Sequence, residues 1–449
     1  MDLVPKIKKA AGDEWFGKLQ GSIGIGNVRY TTSGKCDEKS ILEGTQPVIG
    51  IMDKMKLAVS FNGNIISTEA LKEELKVNFK DFVYNCDSDI VCYKLLLGFK
   101  RGKGLVGAVR DVMNGLDGAF SVIGILEDGT FFAFKDPHGI KPLCAGHSSD
   151  RQILAFSSET VSLDMNSFEL DFELYPGELV IATEGGFVRQ QVIEKSRQAF
   201  CAFEYAYFAR PDSRFSSKYV YEIREAFGKN IVYENWDVVK ECNVIISVPE
   251  TGDDPAMGVH EASNLRWERA SRRHRYVTER AFISLVNERF STIDKKINIL
   301  GSKVAGKNVI ICEDSIVRGD TTKVIIDKLR KSGAKKVFVF STFPRIIGPC
   351  FYGIDMSTYG ELVGARNSPE EIAKIIGADG VCYQSIDKLV EATEQTRDQL
   401  CLACVTGKYP TPLAQEMADL SKKKFLEGCE ETKRVYETEE NLIRSKKTN

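Results

Sequence analysis

The first third of the chain alternates short apolar runs with turn-forming residues, which is the pattern of antiparallel strands. Residues 118–126 and 130–135 are apolar and are separated by a Glu-Asp-Gly turn, so they predict a β-hairpin. Four further runs predict strands, at residues 22–32, 56–66, 153–158 and 178–183. Stretches at residues 68–75 and 88–97 predict helices between them. We therefore expect a β-sandwich covered by helices.

The pattern changes near residue 200, where apolar runs begin to alternate with amphipathic stretches. Strands are predicted at residues 244–248, 307–312 and 336–342, and helices at residues 255–262 and 321–331. This rhythm predicts β-α-β units with a parallel sheet. We place a domain boundary near residue 195. The expected units are residues 1–195, residues 196–411, and a charged C-terminal segment, residues 412–449, that we expect to be a solvated helix.

Composition narrows the class of protein. The chain has 449 residues, 43% hydrophobic and 28% charged, which is enough for two or three folded domains. Lys and Arg total 61 and Asp and Glu total 63, and the net charge of −2 argues against non-specific nucleic-acid binding. The apolar runs are too short to span a membrane, and the first residues carry no secretory signal. We expect a cytoplasmic protein with no membrane or nucleic-acid partner.

The strongest chemical signal is the stretch VIICEDSIVRGDTT at residues 309–322. An apolar strand ends at the acid pair Glu313 and Asp314, and a short loop then leads to Thr321 and Thr322 at a helix start. Free N–H groups at a helix start bind phosphate, and paired carboxylates bind ribose hydroxyls or Mg²⁺. In α/β sheets, ligands bind at the carboxyl ends of strands. The alternative is an ordinary helix with an acidic N-terminal cap.

This stretch resembles the phosphoribosyl-pyrophosphate (PRPP) motif of phosphoribosyltransferases, in particular that of the amidophosphoribosyltransferase family. Further blocks match the family in order, at residues 24–34, 62–64, 201–213, 249–251, 349–355 and 401–412. The resemblance implies a mixed α/β and α+β fold. A glutaminase domain of the N-terminal-nucleophile type, an αββα sandwich truncated here at its N-terminus, would precede a phosphoribosyltransferase α/β domain with a parallel sheet.

The resemblance also implies a reaction, the first step of purine biosynthesis. Glutamine gives ammonia, and ammonia displaces pyrophosphate from C1 of PRPP to give 5-phosphoribosylamine. The implied partners are PRPP and ammonia or glutamine, with the chain as a homo-oligomer. Glu313 and Asp314 would hold Mg²⁺. The implied PRPP-binding residues are Glu313, Asp314, Ser315, Arg318, Gly319, Thr321, Thr322, Arg275 and Arg280.

Parts of a glutaminase site are implied in the first half. Asn62 and Gly63 resemble the oxyanion hole, while Arg29 and Asp87 resemble the groups that hold the carboxylate and amine of glutamine. From the residues alone, Asn62-Gly63 is also the pair favoured in a type I′ hairpin turn. The flanking resemblance favours the oxyanion hole.

The catalytic cysteine of the family stands at the mature N-terminus, and no counterpart is present in this sequence. Met1 stands at a point that resembles the interior of the glutaminase domain, and the first cysteine, Cys36, is not assigned the role. Because the acyl-enzyme needs a thiol nucleophile, we expect this chain alone not to hydrolyse glutamine. Either the start of the sequence is wrongly assigned, or the ammonia is supplied from solution or by a separate glutaminase polypeptide.

The phosphoribosyl site departs from the family at several positions. Glu313 replaces an aspartate, Asp320 stands where a threonine faces the 5′-phosphate, and Ala281 replaces a threonine. These changes motivate an alternative function, a non-catalytic paralogue that binds PRPP or a nucleotide, or regulates an active homologue. A third possibility is phosphoribosyl transfer to a different acceptor.

A basic run at residues 272–280 contains Arg272, Arg273, Arg275 and Arg280. Because arginine pairs with phosphates in bidentate fashion, the run predicts a loop that clamps pyrophosphate. The alternative is a solvated helix face.

Cys401 and Cys404 form a CxxC pair, which by spacing alone fits zinc, a redox pair or neither. In the resemblance, Cys201, Cys350, Cys401 and Cys404 match the four ligands of a [4Fe–4S] cluster, which would tie the domain junction to the C-terminal segment. The alternative is four unrelated buried thiols. The remaining cysteines, Cys86 among them, are predicted to be packing or surface residues.

Overall fold

The computed structural model describes residues 21–28, 43–194, 197–274 and 297–429. Arg29, Arg275 and Arg280 lie outside these ranges, as do Cys36 and Ala281. The strand predicted at residues 22–32 is wrong over residues 22–28, which have no strand pairing. Side chains instead fix this segment beside its neighbour, because Ser60 Oγ donates to Gly26 O and Asn27 Nδ2 donates to Phe61 O.

The strands of the first half form two antiparallel sheets. In chain order they are β1 (Val48–Met52), β2 (Met55–Ile66), β3 (Asp117–Leu126), β4 (Phe131–Lys135), β5 (Cys144–Ser148), β6 (Leu154–Ser157), β7 (Phe168–Glu173), β8 (Glu178–Thr183) and β9 (Gly186–Gln191). One sheet has the order β1-β2-β3-β4-β8-β9, and the other has β5 between β6 and β7. β3 and β4 form the predicted hairpin.

The pair Asn62-Gly63 lies inside strand β2 and not in a turn. Asn62 pairs with Ser121 and Gly63 with Phe120 of β3, so the hairpin-turn alternative is wrong. A Cβ atom on Gly63 would lie 1.9 Å from Ala119 O. Only glycine therefore lets β2 and β3 approach at this point.

Helices cover both outer faces of the two sheets. They are α1 (Glu69–Asn78), α2 (Asp87–Lys100), α3 (Gly104–Gly115) and α4 (Thr160–Met165). Leu57 and Val59 of β2 are buried in one core with residues of α2 and α3. Ala145 of β5 packs in the core between the sheets, while the next residue, Gly146, faces Leu163 of α4. The layers run helix, sheet, sheet, helix, so the predicted sandwich is confirmed.

The second half contains the predicted parallel sheet. The described strands of this half of the chain are β10 (Phe200–Cys201), β11 (Arg214–Phe215), β12 (Lys218–Tyr219), β13 (Val244–Ser247), β14 (Arg266–Trp267), β15 (Ser271–Arg273), β16 (Ile297–Ile299), β17 (Asn308–Glu313), β18 (Lys336–Ser341), β19 (Gly380–Tyr383) and β20 (Leu400–Cys401). The main sheet has the order β14-β13-β17-β18-β19, and each neighbouring pair is parallel. β17 is therefore the central strand.

The helices of the second half connect and cover these strands. They are α5 (Val220–Glu234), α6 (Trp236–Glu241), α7 (Asp253–Ser263), α8 (Gly301–Val304), α9 (Asp320–Lys331), α10 (Val363–Arg366), α11 (Pro369–Ile376), α12 (Ile386–Thr393), α13 (Ala403–Thr406) and α14 (Pro412–Leu426). The described residues of this half also contain a π-helical turn, Glu204–Phe208, and a 3₁₀ turn, Arg397–Gln399. Among the described residues, no helix is both long and apolar enough to cross a membrane.

Helix α14 is packed against the protein, so the prediction of a solvated C-terminal helix is wrong over this range. Ala414, Met417 and Ala418 are buried on one face of the helix, and Phe425 is buried near its end. Arg366 stacks 3.7 Å from the Phe425 ring and donates to the Phe425 carbonyl. The charge-rich composition of the segment did not indicate this apolar stripe, because the charged residues lie on the other face of the helix.

Candidate functional site

The acid pair of the sequence motif lies at the carboxyl end of the central strand. Glu313 ends β17 and is 6% exposed, and Asp314 is 7% exposed. Thr322 Oγ1 donates to Glu313 Oε2 at 2.5 Å, which joins the strand to helix α9. Asp314 accepts hydrogen bonds from Ser315 Oγ at 2.7 Å and from the hydroxyl of Thr251. The structure therefore brings Glu313, Asp314 and Thr322 together.

Burial disfavours the charged form of both carboxyl groups unless a cation is bound beside them. Burial raises the pKa of Glu313 to about 8, and the nearby charge of Asp314 adds to the rise. Burial also raises the pKa of Asp314, although the Thr251 hydroxyl, the Ser315 hydroxyl and the Arg224 guanidinium act against it. Mg²⁺ is typically held by one or two carboxylates together with substrate phosphates. The donor set of Glu313 and Asp314 fits that ion.

The loop after the acid pair leads into the helix that the motif predicts. Gly319 precedes α9 with φ of 86°, a conformation that favours glycine. Asp320 is the first residue of α9, followed by Thr321 and the buried Thr322. Near the positive end of the helix dipole the Asp320 carboxylate is favourable in itself, but it opposes a phosphate bound there.

Arg318 in the same loop is held by acidic residues. Its guanidinium pairs with the Glu361 carboxylate and lies 3.9 Å from Asp355. These two carboxylates partly neutralise the positive charge of Arg318, which the resemblance implies as a PRPP-binding residue. Arg318 and Glu361 also line a cavity of about 630 Å³, together with Phe425 near the end of α14.

A second loop meets the acid pair from β13. Thr251, whose hydroxyl binds Asp314, belongs to the Pro-Glu-Thr block of the sequence analysis. Arg273 Nη1 lies 3.4 Å from the Glu250 carboxylate. Arg272 and Arg273 are residues of β15, which pairs with β16, so the helix-face alternative is wrong for them. The basic run thus starts beside this loop.

Three residues predicted for the glutamine site line one cavity. Its volume is about 410 Å³, and Asn62, Gly63 and Asp87 all contribute to its walls. Val28 also lines it, next in sequence to Arg29, which lies outside the described residues. Cys86, predicted to be a packing or surface residue, is a further wall residue. The position of Asn62 and Gly63 on β2 is what carries them to the cavity.

Asp87 is fixed in this cavity by two hydrogen bonds. Its Oδ2 accepts from the Ile65 backbone N–H at 2.8 Å, and its Oδ1 accepts from the Tyr84 hydroxyl at 2.9 Å. Asp87 is also the first residue of α2, where a negative charge is favoured by the helix dipole. Tyr84 is a residue that the sequence analysis missed, because nothing in its local pattern indicates this contact.

The second half of the chain closes the cavity. Glu204 and Phe208 of the π-helical turn line it, as does Gly353. A Cβ atom on Gly353 would lie 3.2 Å from the backbone of Gly63, and Asn64 Nδ2 donates to Phe351 O at 3.0 Å. The candidate glutamine site is therefore completed by the domain that carries the acid pair.

Arg224 links this junction to the phosphoribosyl site. It is 2% exposed, and it donates to Tyr205 O at 2.8 Å and to Ala209 O at 2.7 Å. Its Nη1 lies 3.6 Å from Asp254 in the first turn of α7, the helix that follows Thr251. The buried Arg224 side chain therefore connects the segment at the π-helical turn, which lines the cavity, with helix α7, which follows Thr251.

The four cysteines predicted as cluster ligands are brought together at the junction. Cys201 of β10 pairs with Cys401 of β20, and Cys404 O accepts from the backbone N–H groups of residues 347 and 348, near Cys350. All four are buried, at 6–9% exposure. Burial raises the pKa of each thiol, to about 12 for Cys201, and for Cys404 the other three thiols add to the rise.

Four thiolates are the ligand set of a [4Fe–4S] cluster. Within the described ranges, no three His, Cys, Asp or Glu side chains lie close enough to hold one metal ion. Tyr352 N–H donates to Cys350 Sγ at 3.3 Å, and backbone groups at Phe203 and Ala403 likewise bind Cys201 and Cys401. Such bonds stabilise thiolate ligands.

Comparisons with known proteins agree with this geometry. A family model described as a glutamine amidotransferase domain matches residues 37–165. The amidophosphoribosyltransferase of Methanothermobacter thermautotrophicus is 34% identical over 412 residues, which cover 92% of this chain and 84% of that protein. The amidophosphoribosyltransferase of Methanocaldococcus jannaschii is 33% identical, over 89% of this chain and 85% of that protein.

A solved structure shows the same architecture. Glutamine PRPP amidotransferase from B. subtilis, complexed with ADP and GMP, superposes with a TM-score of 0.76 and 31% identity, over 86% of this chain and 83% of that chain. Sequence and fold agree along both halves of the molecule. This chain belongs to the amidophosphoribosyltransferase family.

Proposed function

We propose that this protein transfers an amino group to PRPP, giving 5-phosphoribosylamine and pyrophosphate, as the first step of purine biosynthesis. The observation that carries the proposal is the buried acid pair Glu313–Asp314 facing the start of α9 across the Thr322 hydrogen bond. A ribose phosphate needs carboxylates for its hydroxyls and free N–H groups for its phosphate. Both stand at this edge of the sheet.

Each part of the site has a separate task in this proposal. The N–H groups and hydroxyls at Thr321 and Thr322 hold the 5′-phosphate, while Glu313 and Asp314 hold ribose hydroxyls and Mg²⁺. Bound Mg²⁺ neutralises charge on the leaving pyrophosphate. The loop at Thr251 and the basic run that starts at Arg272 receive the pyrophosphate. Such sites accelerate the reaction by positioning and charge stabilisation.

The cavity at Asn62 is proposed to bind glutamine. The Asn62 amide and the Gly63 N–H would face the carbonyl oxygen of the substrate amide, and Asp87 would bind its α-ammonium group. The fixed position of Asp87, with both carboxylate oxygens in hydrogen bonds, supports this assignment. Ammonia released here would have to cross the junction that Glu204, Phe208 and Gly353 form.

The cysteine set is proposed to hold a [4Fe–4S] cluster with a structural role. Cys201, Cys350, Cys401 and Cys404 come from three separate segments, so a shared cluster would pin those segments together. The alternative of four unrelated thiols is disfavoured by the β10–β20 pairing that sets Cys201 beside Cys401.

The test measures pyrophosphate release from PRPP and Mg²⁺, with ammonium or glutamine as the amine donor. Release with ammonium that falls at least tenfold in Asp314→Asn would support the transferase, and Asp327→Asn, on the exposed face of α9, is the matched control. Release with glutamine as well would support a working glutaminase site.

The second candidate function is a binding protein without turnover, and Asp320 favours it. Its carboxylate stands at the helix start where the 5′-phosphate is proposed to bind, and it repels a phosphate there. Binding of PRPP without pyrophosphate release under either donor would favour the regulatory paralogue and reject the transferase.

A further inference from the structure

The loop that follows the acid pair is attached to a second segment of the chain. The Arg318 guanidinium pairs with the Glu361 carboxylate, and its Nη2 also donates to Asp355 O at 3.4 Å. The side chains of Arg318 and Glu361 are only 16% and 19% exposed. A backbone hydrogen bond joins the same two segments, from the Val363 N–H to Val317 O at 3.0 Å. The loop is therefore held at two consecutive residues.

Glu361 is itself fixed by its own segment. Its second carboxylate oxygen, Oε1, accepts from the Ser357 N–H at 2.5 Å and from the Thr358 N–H at 2.9 Å. One oxygen of the carboxylate thus binds the backbone and the other binds Arg318. Hydrogen bonds to a charged carboxylate are among the stronger ones in proteins. Glu361 is therefore a rigid anchor for the arginine.

The contacts of Arg318 lie away from the start of α9. Arg318 lines a cavity with Glu361 and Phe425, and the described wall residues of that cavity include neither the acid pair nor the first turn of α9. Gly319, which follows Arg318, has a positive φ of 86° and can adopt more backbone conformations than other residues. A loop that ends in such a residue needs contacts elsewhere to keep one shape.

We propose that Glu361 is a positioning residue for the PRPP site. Through Arg318 it fixes the loop at residues 315–319, so that the N–H groups at the start of α9 face the 5′-phosphate. The inference rests on the proposed function, and it gives Arg318 a different task from the one that the resemblance implies. Arg318 holds the loop in place and does not bind PRPP. N–H groups that are already oriented bind phosphate without the cost of ordering a loop.

The experiment measures the affinity of the full chain for PRPP with Mg²⁺ by calorimetry, without an amine donor. The decisive variant is Glu361→Ala, because the two roles of Arg318 predict opposite results. If Arg318 bound PRPP directly, loss of the Glu361 carboxylate would free its charge and tighten binding. If Glu361 positions the loop, affinity should fall roughly 10- to 100-fold, as expected for a misplaced binding group. Glu361→Gln keeps an acceptor for the backbone N–H groups and should lose less.

A double variant shows whether the two side chains act through one contact. Arg318→Met should lose about as much affinity as Glu361→Ala, and the double variant should lose no more than either single variant. Arg330→Met is the matched control, since Arg330 lies in the last turn of α9 and pairs with Asp379. It should leave PRPP affinity unchanged.

A second measurement does not depend on PRPP. Hydrogen exchange of the backbone N–H groups at residues 315–322 is followed in the protein without ligand. Exchange should be faster in Glu361→Ala and in Arg318→Met, and unchanged in Arg330→Met, because local opening depends on the contacts that hold a segment. A global loss of stability would instead raise exchange throughout the main sheet.

Weaker PRPP binding in Glu361→Ala, together with faster exchange confined to residues 315–322, would support the inference. Tighter or unchanged binding, additive losses in the double variant, or unchanged exchange would overturn it while leaving the proposed function in place. A wild-type chain that binds no PRPP would reject the proposed function. In that case the exchange measurement alone would decide whether Glu361 orders the loop.

Discussion

At the scale of single residues, the candidate sites depend on pairs of groups that contact each other. Gly63 faces the Ala119 carbonyl, Asp87 faces the Tyr84 hydroxyl, and Glu313 faces the Thr322 hydroxyl. Each partner lies on a different element or in a loop. Replacing one partner therefore tests the fold and the site together.

Gly63→Ala is expected to destabilise the protein. The new methyl group would meet Ala119 O at 1.9 Å, and the two strands would have to separate. Overpacking of this kind costs about 1–3 kcal/mol or more in the free energy of unfolding, measured by urea denaturation. Gly24→Ala is the control, because a Cβ atom there meets nothing within 4 Å. Equal stability of the two variants would contradict the packing argument.

Glu313 is expected to make stability depend on pH when no Mg²⁺ is present. Its folded-state pKa, about 8, lies above its ordinary value of 4.5, so the folded state binds the proton more tightly than the unfolded state. This contribution is complete below pH 4.5 and is lost as the pH rises through 8. Relative to wild type, Glu313→Gln should gain free energy of unfolding between these two pH values.

The measurement for Glu313 is urea unfolding of both proteins at pH 5 and pH 8.5 with a chelator present. Adding Mg²⁺ and PRPP should stabilise wild type at the higher pH more than the Gln variant. A difference between the two proteins that does not change with pH would contradict the assigned pKa.

At the scale of elements, the proposed phosphoribosyl site lies where one strand ends and one helix begins. β17 supplies the acids, α9 supplies the N–H groups, and Gly319 allows the chain to turn between them. This part followed from sequence, because apolar run, acid pair, loop and hydroxyls occur within fourteen consecutive residues. The helix start also carries the least expected residue, Asp320.

Asp320→Thr is expected to improve PRPP binding. Removing a carboxylate from the helix start removes repulsion of the bound phosphate, so the KM for PRPP with ammonium should fall several-fold. The helix itself should lose about 0.3–1 kcal/mol, because a negative charge in the first turn is stabilising. Asp327→Asn, which removes the same charge further along α9, should leave KM unchanged. An unchanged KM in Asp320→Thr would place the phosphate elsewhere.

At the scale of the whole molecule, the two halves share their working parts. The cavity at Asn62 is closed by Glu204, Phe208 and Gly353 of the second half. Arg224 connects that segment to α7 through two backbone carbonyls and Asp254. The junction is therefore part of both proposed sites and not a linker between them.

Arg224→Met should destabilise the junction. It removes one partner of a buried pair and leaves two carbonyls without their donor, which costs about 3–5 kcal/mol in the free energy of unfolding. Surviving folded protein should show weaker binding of both PRPP and glutamine, measured by calorimetry. Arg101→Met, at an exposed pair with Glu74, should cost at most about 1 kcal/mol. Loss of binding at one site alone would contradict the link.

The sequence by itself determined the elements with strong local patterns. The β3–β4 hairpin, the strand at Glu178–Thr183 and the strand-loop-helix at Glu313 were predictable because period, turn residues and chemistry coincide within short windows. The same patterns predicted a sandwich followed by a parallel sheet, and the family resemblance added the glutaminase and phosphoribosyltransferase assignments. Local pattern was ambiguous at Asn62-Gly63, because a pair that also favours a hairpin turn lies inside a predicted strand. It failed at α14, where the charged residues obscured a buried apolar face.

Only the tertiary structure decided which distant residues meet. Lys141 forms a buried ion pair with Glu204 from 63 positions away, and Asn64 donates to Phe351 from 287 positions away. Such contacts come from the packing of two domains, and no local period or propensity encodes them. For that reason the sequence indicated the proposed phosphate-binding edge directly. The cavity, the buried ion pair and the contacts of Arg224 with two segments could be identified only in the tertiary structure.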